Sequence, residues 1–389
     1  MFEFFFTWIL GPLNPRTLLF FEKGGNMGSY RVVVLPGDGV GPEIIKEGMK
    51  VIRAALALTS LDVQFTELEI GAGRYRRTGT AFSQEDIEKV RKADAVYFGA
   101  VGLPDVRLPD GREVQSGYIY RQDLDLYTNI RPVKLYKGIE SPLKKAQEKG
   151  IDYVIFRENT EGLYTFGKGG FRIGDEAAVN PLIISRKGTE RIVRAAFQMA
   201  RRRQGAPEDG LKRVTCTTKS NVVEAFAFFE EVFKEVAREF PDIQNEHYYT
   251  DALTVMMVQR PWHFDVIVTE NMFGDILSDL GAGTIGSLGL APSAEVGDHH
   301  GLFQSIHGSA PDIAGKGIVN PIAAILSGGM MFDWLGNRHG DGQAKEIGSR
   351  IEKAVEAVLA KGQVRTPDLG GKNTTVQVGD AIVQEIKSG

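Results

Sequence analysis

Cysteine is almost absent: Cys216 is the only one in 389 residues. No intrachain disulfide can form, and zinc sites built on several thiolates are excluded. Histidine is scarce as well. The six, His247, His263, His299, His300, His307 and His339, contain no pair at the HExxH spacing of a metal-binding helix. No apolar run reaches the roughly 20 residues that a membrane-spanning helix needs. Residues 1–10 (MFEFFFTWIL) are too short, are followed by Pro12 and Pro15, and lack the basic start and small-residue cleavage site of a secretion signal. An excess of positive charge is missing too. Lys and Arg number 46 against 50 Asp and Glu, a net charge of −4, which argues against a broadly basic nucleic-acid binder. The expected setting is cytoplasmic, with no membrane or nucleic-acid partner. Residues 1–28 are expected to be a start-site artefact or disordered, because Met27 directly precedes the first convincing strand.

The chain is long enough for two domains or one large two-lobed unit. Its 46 glycines are spread along the whole sequence and mark tight turns rather than a flexible tract. Short apolar runs at 30–35 (YRVVVL), 95–98, 151–156, 214–217 and 265–269 read as buried strands, with a further strand at 61–70. Helical apolar spacing covers 43–58, 83–93, 189–203, 222–239 and 344–359. Ser83 and Asp86 fit a capping box in which Asp stands where Glu or Gln is usual. Alternating strands and helices predict an α/β fold with a largely parallel sheet. With no Ser- or Pro-rich linker, the lobes are expected to be interwoven.

Several segments carry possible chemistry. Gly37-Asp38-Gly39-Val40-Gly41 follows a strand and opens a helix, but its spacing is G-x-G-x-G and not the Rossmann G-x-G-x-x-G, so a tight strand-to-helix turn is the simpler reading. Arg121, Arg131 and Arg157 could clamp a substrate with more than one carboxylate through paired hydrogen bonds, or be surface residues. Asp275 and Asp279 lie four apart in GDILSD, on one helical face. Among small and apolar neighbours they suit a hard divalent cation such as Mg²⁺ or Mn²⁺ better than a solvated acidic face; Asp251 lies in YYTDALTV. Lys219 (TTKSN) could be a base if partly desolvated, and Tyr164 (RENTEGLY) could supply a proton; the alternatives are a surface lysine and a packed tyrosine. Residues 307–320 (HGSAPDIAGKGIVN) could bring backbone amides to a phosphate or ribose, or form a plain glycine-rich turn.

Together these segments resemble the isocitrate and 3-isopropylmalate dehydrogenase family of β-decarboxylating dehydrogenases. The matches are LPGDGVGPE (35–43), RQDLDLYTNIRPV (121–133), FRENTEGLY (156–164), TTKSN (217–221), ENMFGDILSD (270–279) and HGSAPDIAGKG (307–317), in family order from about residue 30 onward. The resemblance implies a two-lobed, non-Rossmann α/β fold. Residues 29–126 plus 286–389 would form the cofactor-binding lobe, and 127–285 the metal-binding and dimerisation lobe. Arg121, Arg131 and Arg157 would hold the malate-type carboxylates, with Tyr118 beside the C3 group. Asp275 and Asp279 would bind Mg²⁺ or Mn²⁺, joined by Asp251 of the partner subunit. Tyr164, and Lys219 of the partner subunit, would be the acid–base pair, so a homodimer is implied. His307, Gly308, Ser309, Ala310, Asp312, Ile313 and Asn320 would contact the dinucleotide. An acid at Asp312 would repel a 2′-phosphate, which implies NAD.

The substrate is the open point. Isocitrate enzymes carry Ser and Asn in the helix before Arg121, where Gln115 and Gly117 stand here. Isopropylmalate enzymes carry paired Leu, where Gly117 and Tyr118 stand. With no obvious cation for a further carboxylate, the expectation is 3-isopropylmalate, followed by D-malate or tartrate, then isocitrate or homoisocitrate. A non-catalytic regulatory subunit is the reading from another class. The presence of Tyr164, Lys219, Asp251, Asp275 and Asp279 together speaks for an active enzyme.

Overall fold

A computed structural model describes residues 29–114, 117–166 and 170–389; the expectation for 1–28 and the position of Gln115 lie outside this range. One ten-stranded sheet organises the chain. Its strands are β1 (Ser29–Gly37), β2 (Asp62–Glu67), β3 (Ala95–Ala100), β4 (Thr128–Lys134), β5 (Asp152–Glu158), β8 (Arg213–Thr218), β9 (Gln244–Tyr249), β10 (Val266–Thr269), β11 (Pro292–Val296) and β12 (Gly301–Ser305). A separate exposed hairpin pairs β6 (Phe171–Ile173) with β7 (Ala177–Val179). The order across the sheet is β2-β1-β3-β12-β11-β4-β5-β10-β8-β9.

Pairing is parallel within β2-β1-β3-β12 and within β5-β10-β8-β9. The junction between these halves, β12-β11-β4-β5, is antiparallel. The halves therefore run in opposite directions and meet through the β11–β12 pair, which inserts between β3 and β4. Strands β3, β8 and β10 are buried along their whole length, as expected for parallel strands covered on both faces.

The helices mostly follow the sequence reading. The first, Gly41–Leu56, buries Ile44, Ile45, Met49 and Ile52. Ser83 and Asp86 do close a capping box before Gln84–Arg91. Helices Arg186–Arg202, Glu224–Ala237 and Gly342–Lys361 bury one face each. Two helices carry no amphipathic signal strong enough to be read in advance or lie near the end: Ile322–His339, buried on every side from Ile322 to Gly336, and Thr375–Ser388. The helix preceding the Arg121 motif also differs. It spans Gly117–Asp123 and contains Arg121 in its last turn, while buried Val114 lies ahead of it.

Candidate active site

Strands β4, β5 and β11 and the helix Asn271–Thr284 bring the predicted substrate and metal residues together. Asp275 is the hub. Arg131 donates to its carboxylate at 3.1 Å, and Arg157 donates to the same oxygen. Arg131 and Arg157 are both buried, so each guanidinium needs a fixed partner to offset lost hydration. Arg157 also donates twice to the amide oxygen of Asn271, at 2.9 and 2.7 Å. Close approach of strand to helix requires Gly274: a Cβ there would meet the Arg157 side chain at 2.5 Å. Glu270 caps the helix by accepting from the amides of Met272 and Phe273.

Arg121 reaches the cluster from its own helix. It donates through Nε at 2.8 Å and through a terminal nitrogen at 2.5 Å to the two oxygens of Glu295 on β11. Glu295 is fully buried and further accepts from Asn129, Asn159 and Gln304. Burial would raise its carboxyl, but Arg121, Arg157 and Arg131 outweigh this and hold it below the usual range. The sequence reading missed Glu295. An acid inside the otherwise apolar run Pro292–Val296 was the available signal, since a buried carboxylate must be paired.

The two helix carboxylates differ in electrostatics. Burial alone would raise Asp275, but Arg157, Arg131 and Arg121 bring it below the ordinary value. Asp279 is raised, by burial first and by the like charge of Asp275, with Arg131 and Arg157 offsetting only part. Asp275 therefore contributes stability above the unfolded carboxylate range, lost as pH falls. Asp279 contributes in the opposite sense, losing stability as pH rises through its folded value. Asp279→Asn is accordingly expected to leave the metal-free protein unchanged or slightly more stable, by a few tenths of a kcal/mol as for other like-charged helical neighbours. The thermal shift on adding Mn²⁺ should shrink in the variant. Melting curves with and without Mn²⁺ check this; a lowered metal-free melting temperature with a full Mn²⁺ shift would make Asp279 a structural residue.

Tyr164 stands over this cluster, its ring 5.8 Å from the Arg157 guanidinium carbon. Burial, then the charge of Asp275, raise its phenol, so the hydroxyl keeps its proton at neutral pH. Its turn is pinned by Glu158, whose carboxylate accepts from Thr160 N and Oγ1 and from Glu161 N.

Lys219 and Asp251 do not join this set. Lys219 Nζ donates to Asp251 at 2.6 Å, at the carboxyl ends of β8 and β9. Lys219 is followed by a turn, with the next helix beginning only at Glu224. Among the described residues of one chain no three His, Cys, Asp or Glu side chains gather as a metal site. Two carboxylates one turn apart, one of them raised by burial and by its neighbour, suit a hard divalent cation, and among the described residues of one chain no third carboxylate joins them.

The 307–320 loop follows β12 and packs on the first glycine loop. Val40 N donates to Ser309 O at 2.8 Å, and Ser309 Oγ to Gly102 O. Gly39, at φ +59°, has room only for hydrogen where Ser309 O approaches. Gly315 N donates to the Glu43 carboxylate, and Asn320 Nδ2 to Asp368 at 3.0 Å. Gly308 and Asp312 are exposed, Ile313 half-buried, and Ala310 adopts a positive φ of 36°. Burial keeps His307 below its ordinary value, and its Nε2 is buried without a hydrogen-bond partner. An orphaned buried nitrogen beside exposed amides and an acid fits a dinucleotide better than a plain turn. The side chain of Tyr118 lies outside the described part of the structure.

Residues 31–382 match the family model described as isocitrate/isopropylmalate dehydrogenase. The 3-isopropylmalate/3-methylmalate dehydrogenase of Methanocaldococcus jannaschii is 43% identical over 92% of this chain and 99% of its own length. The isocitrate/homoisocitrate dehydrogenase of Thermus thermophilus is 42% identical over the same shares. Among solved structures, the isocitrate dehydrogenase of Methylococcus capsulatus superposes with a TM-score of 0.80 at 36% identity, covering 92% of this chain and 99% of the other.

Proposed function

The chain belongs to the isocitrate/isopropylmalate dehydrogenase family, and from that premise we propose that it oxidises and decarboxylates a 3-substituted malate, 3-isopropylmalate first, with NAD⁺ as hydride acceptor. The observation that carries the reading is the convergence of Arg131 and Arg157 on Asp275 under Tyr164, with Arg121 held in the same cluster by Glu295. Three guanidinium groups hold the two malate carboxylates and fix the C2–C3 bond. A divalent cation on Asp275 and Asp279 would supply a Lewis acid for negative charge developing at the C2 oxygen. Lys219 of the partner subunit accepts the hydroxyl proton as hydride leaves C2. Tyr164, kept protonated by burial and by Asp275, donates to C3 after CO₂ departs. Asp312 selects against a 2′-phosphate.

The second element of the proposal is a homodimer with shared sites. Lys219 and Asp251 pair with each other rather than with Asp275 and Tyr164, so one copy lacks a complete set. The adjoining helices Thr250–Gln259 and Asn271–Thr284 expose Val255 (51%), Val258 (44%) and Ile276 (57%), and the β6–β7 hairpin exposes Phe171 and Ile173. A second copy would cover this apolar surface and bring its Lys219 and Asp251 to the first copy's Asp275. The lobe of 29–126 and 286–389 would then carry the dinucleotide and 127–285 the dimer contacts.

Isocitrate or homoisocitrate is the second reading, favoured by the similarity to the Thermus enzyme. The test is turnover of 3-isopropylmalate, D-malate, tartrate, isocitrate and homoisocitrate with Mn²⁺ and either NAD⁺ or NADP⁺. The expected result is the highest kcat/KM for 3-isopropylmalate with NAD⁺. Preference for NADP⁺ would remove the role of Asp312, and no turnover of any substrate would favour a regulatory subunit.

A further inference from the structure

A second cationic concavity lies at the amino ends of β1, β3 and β12, the opposite end from the 307–320 loop. It encloses about 310 Å³ and is lined by Arg31, Lys92, His299, His300, Arg338 and His339, together with Arg91, Ala93 and Asp94. Its walls come from four places in the chain: the start of β1, residues 91–94 between helix Gln84–Arg91 and β3, the β11–β12 turn, and the end of helix Ile322–His339. None of these residues takes part in the proposed reaction.

Charge at this place exceeds what the fold needs. Four permanent cations line the cleft against one carboxylate, Asp94, which accepts from the Arg31 amide at 2.7 Å and pairs with the Arg31 guanidinium at 3.6 Å. Arg91 is matched by Asp123 at 3.0 Å. Cations complement helix C-termini, but each terminus presents only about half an elementary negative charge. Three histidines add further capacity. Arg338 is fixed in place: it donates to Asp298 O and lies 5.2 Å from the Trp334 ring centroid. A guanidinium fork and an ammonium suit phosphate and carboxylate oxygens, and the volume falls at the lower end of small-molecule sites.

We propose that this cleft binds a compact polyvalent oxyanion, phosphate-bearing or polycarboxylate, which ties the starts of β1 and β3 to the β11–β12 turn. The histidines make the binding pH-dependent. Burial lowers His300, reinforced by Arg338 and His299 and opposed by its hydrogen bond to Ala93 and by Asp94. Burial likewise lowers His339, reinforced by Arg338 and opposed by Asp94 and Asp341, with the Tyr30 ring 5.5 Å away. Both are thereby held toward the neutral form in the free protein. An anion between them favours their protonated forms, so binding takes up protons and tightens as pH falls.

The probe is inorganic sulfate, whose charge is constant over the range. Thermal melting of the full chain is followed at about pH 6 and about pH 8, where histidine changes charge, at fixed ionic strength set with chloride. A saturable rise in melting temperature, larger at the lower pH, is expected. The double variant Lys92→Glu/His299→Ala changes two exposed side chains; it should weaken the apparent affinity roughly tenfold or more while leaving turnover unchanged. Arg31→Gln is the second variant should the first fold poorly. Inorganic pyrophosphate and citrate, each read as the difference between wild type and variant, distinguish a phosphate ligand from a polycarboxylate. An equal sulfate shift in wild type and variants, a shift reproduced by chloride, or no saturable shift at either pH overturns the proposal.

Discussion

Lys219→Met is expected to lower turnover by roughly 10²–10⁴-fold, the usual contribution of a positioned acid or base. Dinucleotide affinity, measured by quenching of protein fluorescence, should stay near wild type. The lysine lies at the end of β8 beside Asp251, and its proposed role is to take a proton rather than to hold the dinucleotide. Its contact with Asp251 is exposed, so its loss should cost little stability. Tyr164→Phe should be similarly inactive. Mixed under conditions of subunit exchange, the two inactive variants should recover up to about a quarter of wild-type activity, because two-fold assembly gives half heterodimers with one intact site each. Confirmed heterodimers without recovery would mean that Lys219 and Tyr164 of one chain serve one site.

Asp275→Asn is expected to be the most damaging single change, acting on both stability and turnover. Arg131 and Arg157 are buried and share this carboxylate. Removing its charge leaves two guanidinium groups facing each other across a site of low polarity. Loss of a buried pair costs several kcal/mol, but the Asp275 side chain is 39% exposed, and water screens part of it. A loss of about 2–3 kcal/mol at neutral pH is therefore expected. The loss should fade in acid, because Asp275 lies below the ordinary carboxylate value and is itself protonated as pH falls through that value. Urea denaturation at neutral and acidic pH measures this. A variant as stable as wild type at both would show that the arginines find other partners; the expected loss contrasts with Asp279→Asn, where the metal-free protein should be unchanged or slightly more stable.

Much of this was legible in the sequence, for identifiable reasons. Strands such as β3 and β10 are short, predominantly apolar runs that are buried throughout, and hydrophobicity alone marks them. The helix Ile322–His339 escaped because burial on all sides erases the amphipathic period. Strand β4 escaped because Asn129, Arg131 and Pro132 interrupt its pattern, and those polar residues are present for the site rather than for the sheet. Within the site, the acid pair at Asp275 and Asp279 was legible because four-residue spacing fixes a shared helix face. The Arg121–Glu295 pairing was not, since it joins positions 174 apart through strand order, which no local pattern encodes. The separation of Lys219 and Asp251 from the arginine cluster was implied by the family resemblance and by no local pattern.

The insertion of β11 and β12 between β3 and β4 also governs the order in which the protein can be completed on the ribosome. Strands β1, β2 and β3 emerge first and can pair among themselves, and β4, β5, β8, β9 and β10 can do the same. Yet the inner edges of β3 and β4 have no partner until residues 292–305 have been made. The helix that covers β3, which accepts the Tyr97 hydroxyl at Ala324 O across 227 positions, comes later still. Two open strand edges therefore persist through most of synthesis, the kind of surface that recruits other chains. A hairpin of two five-residue strands closes both edges at once, and carries Glu295 into place as it does so.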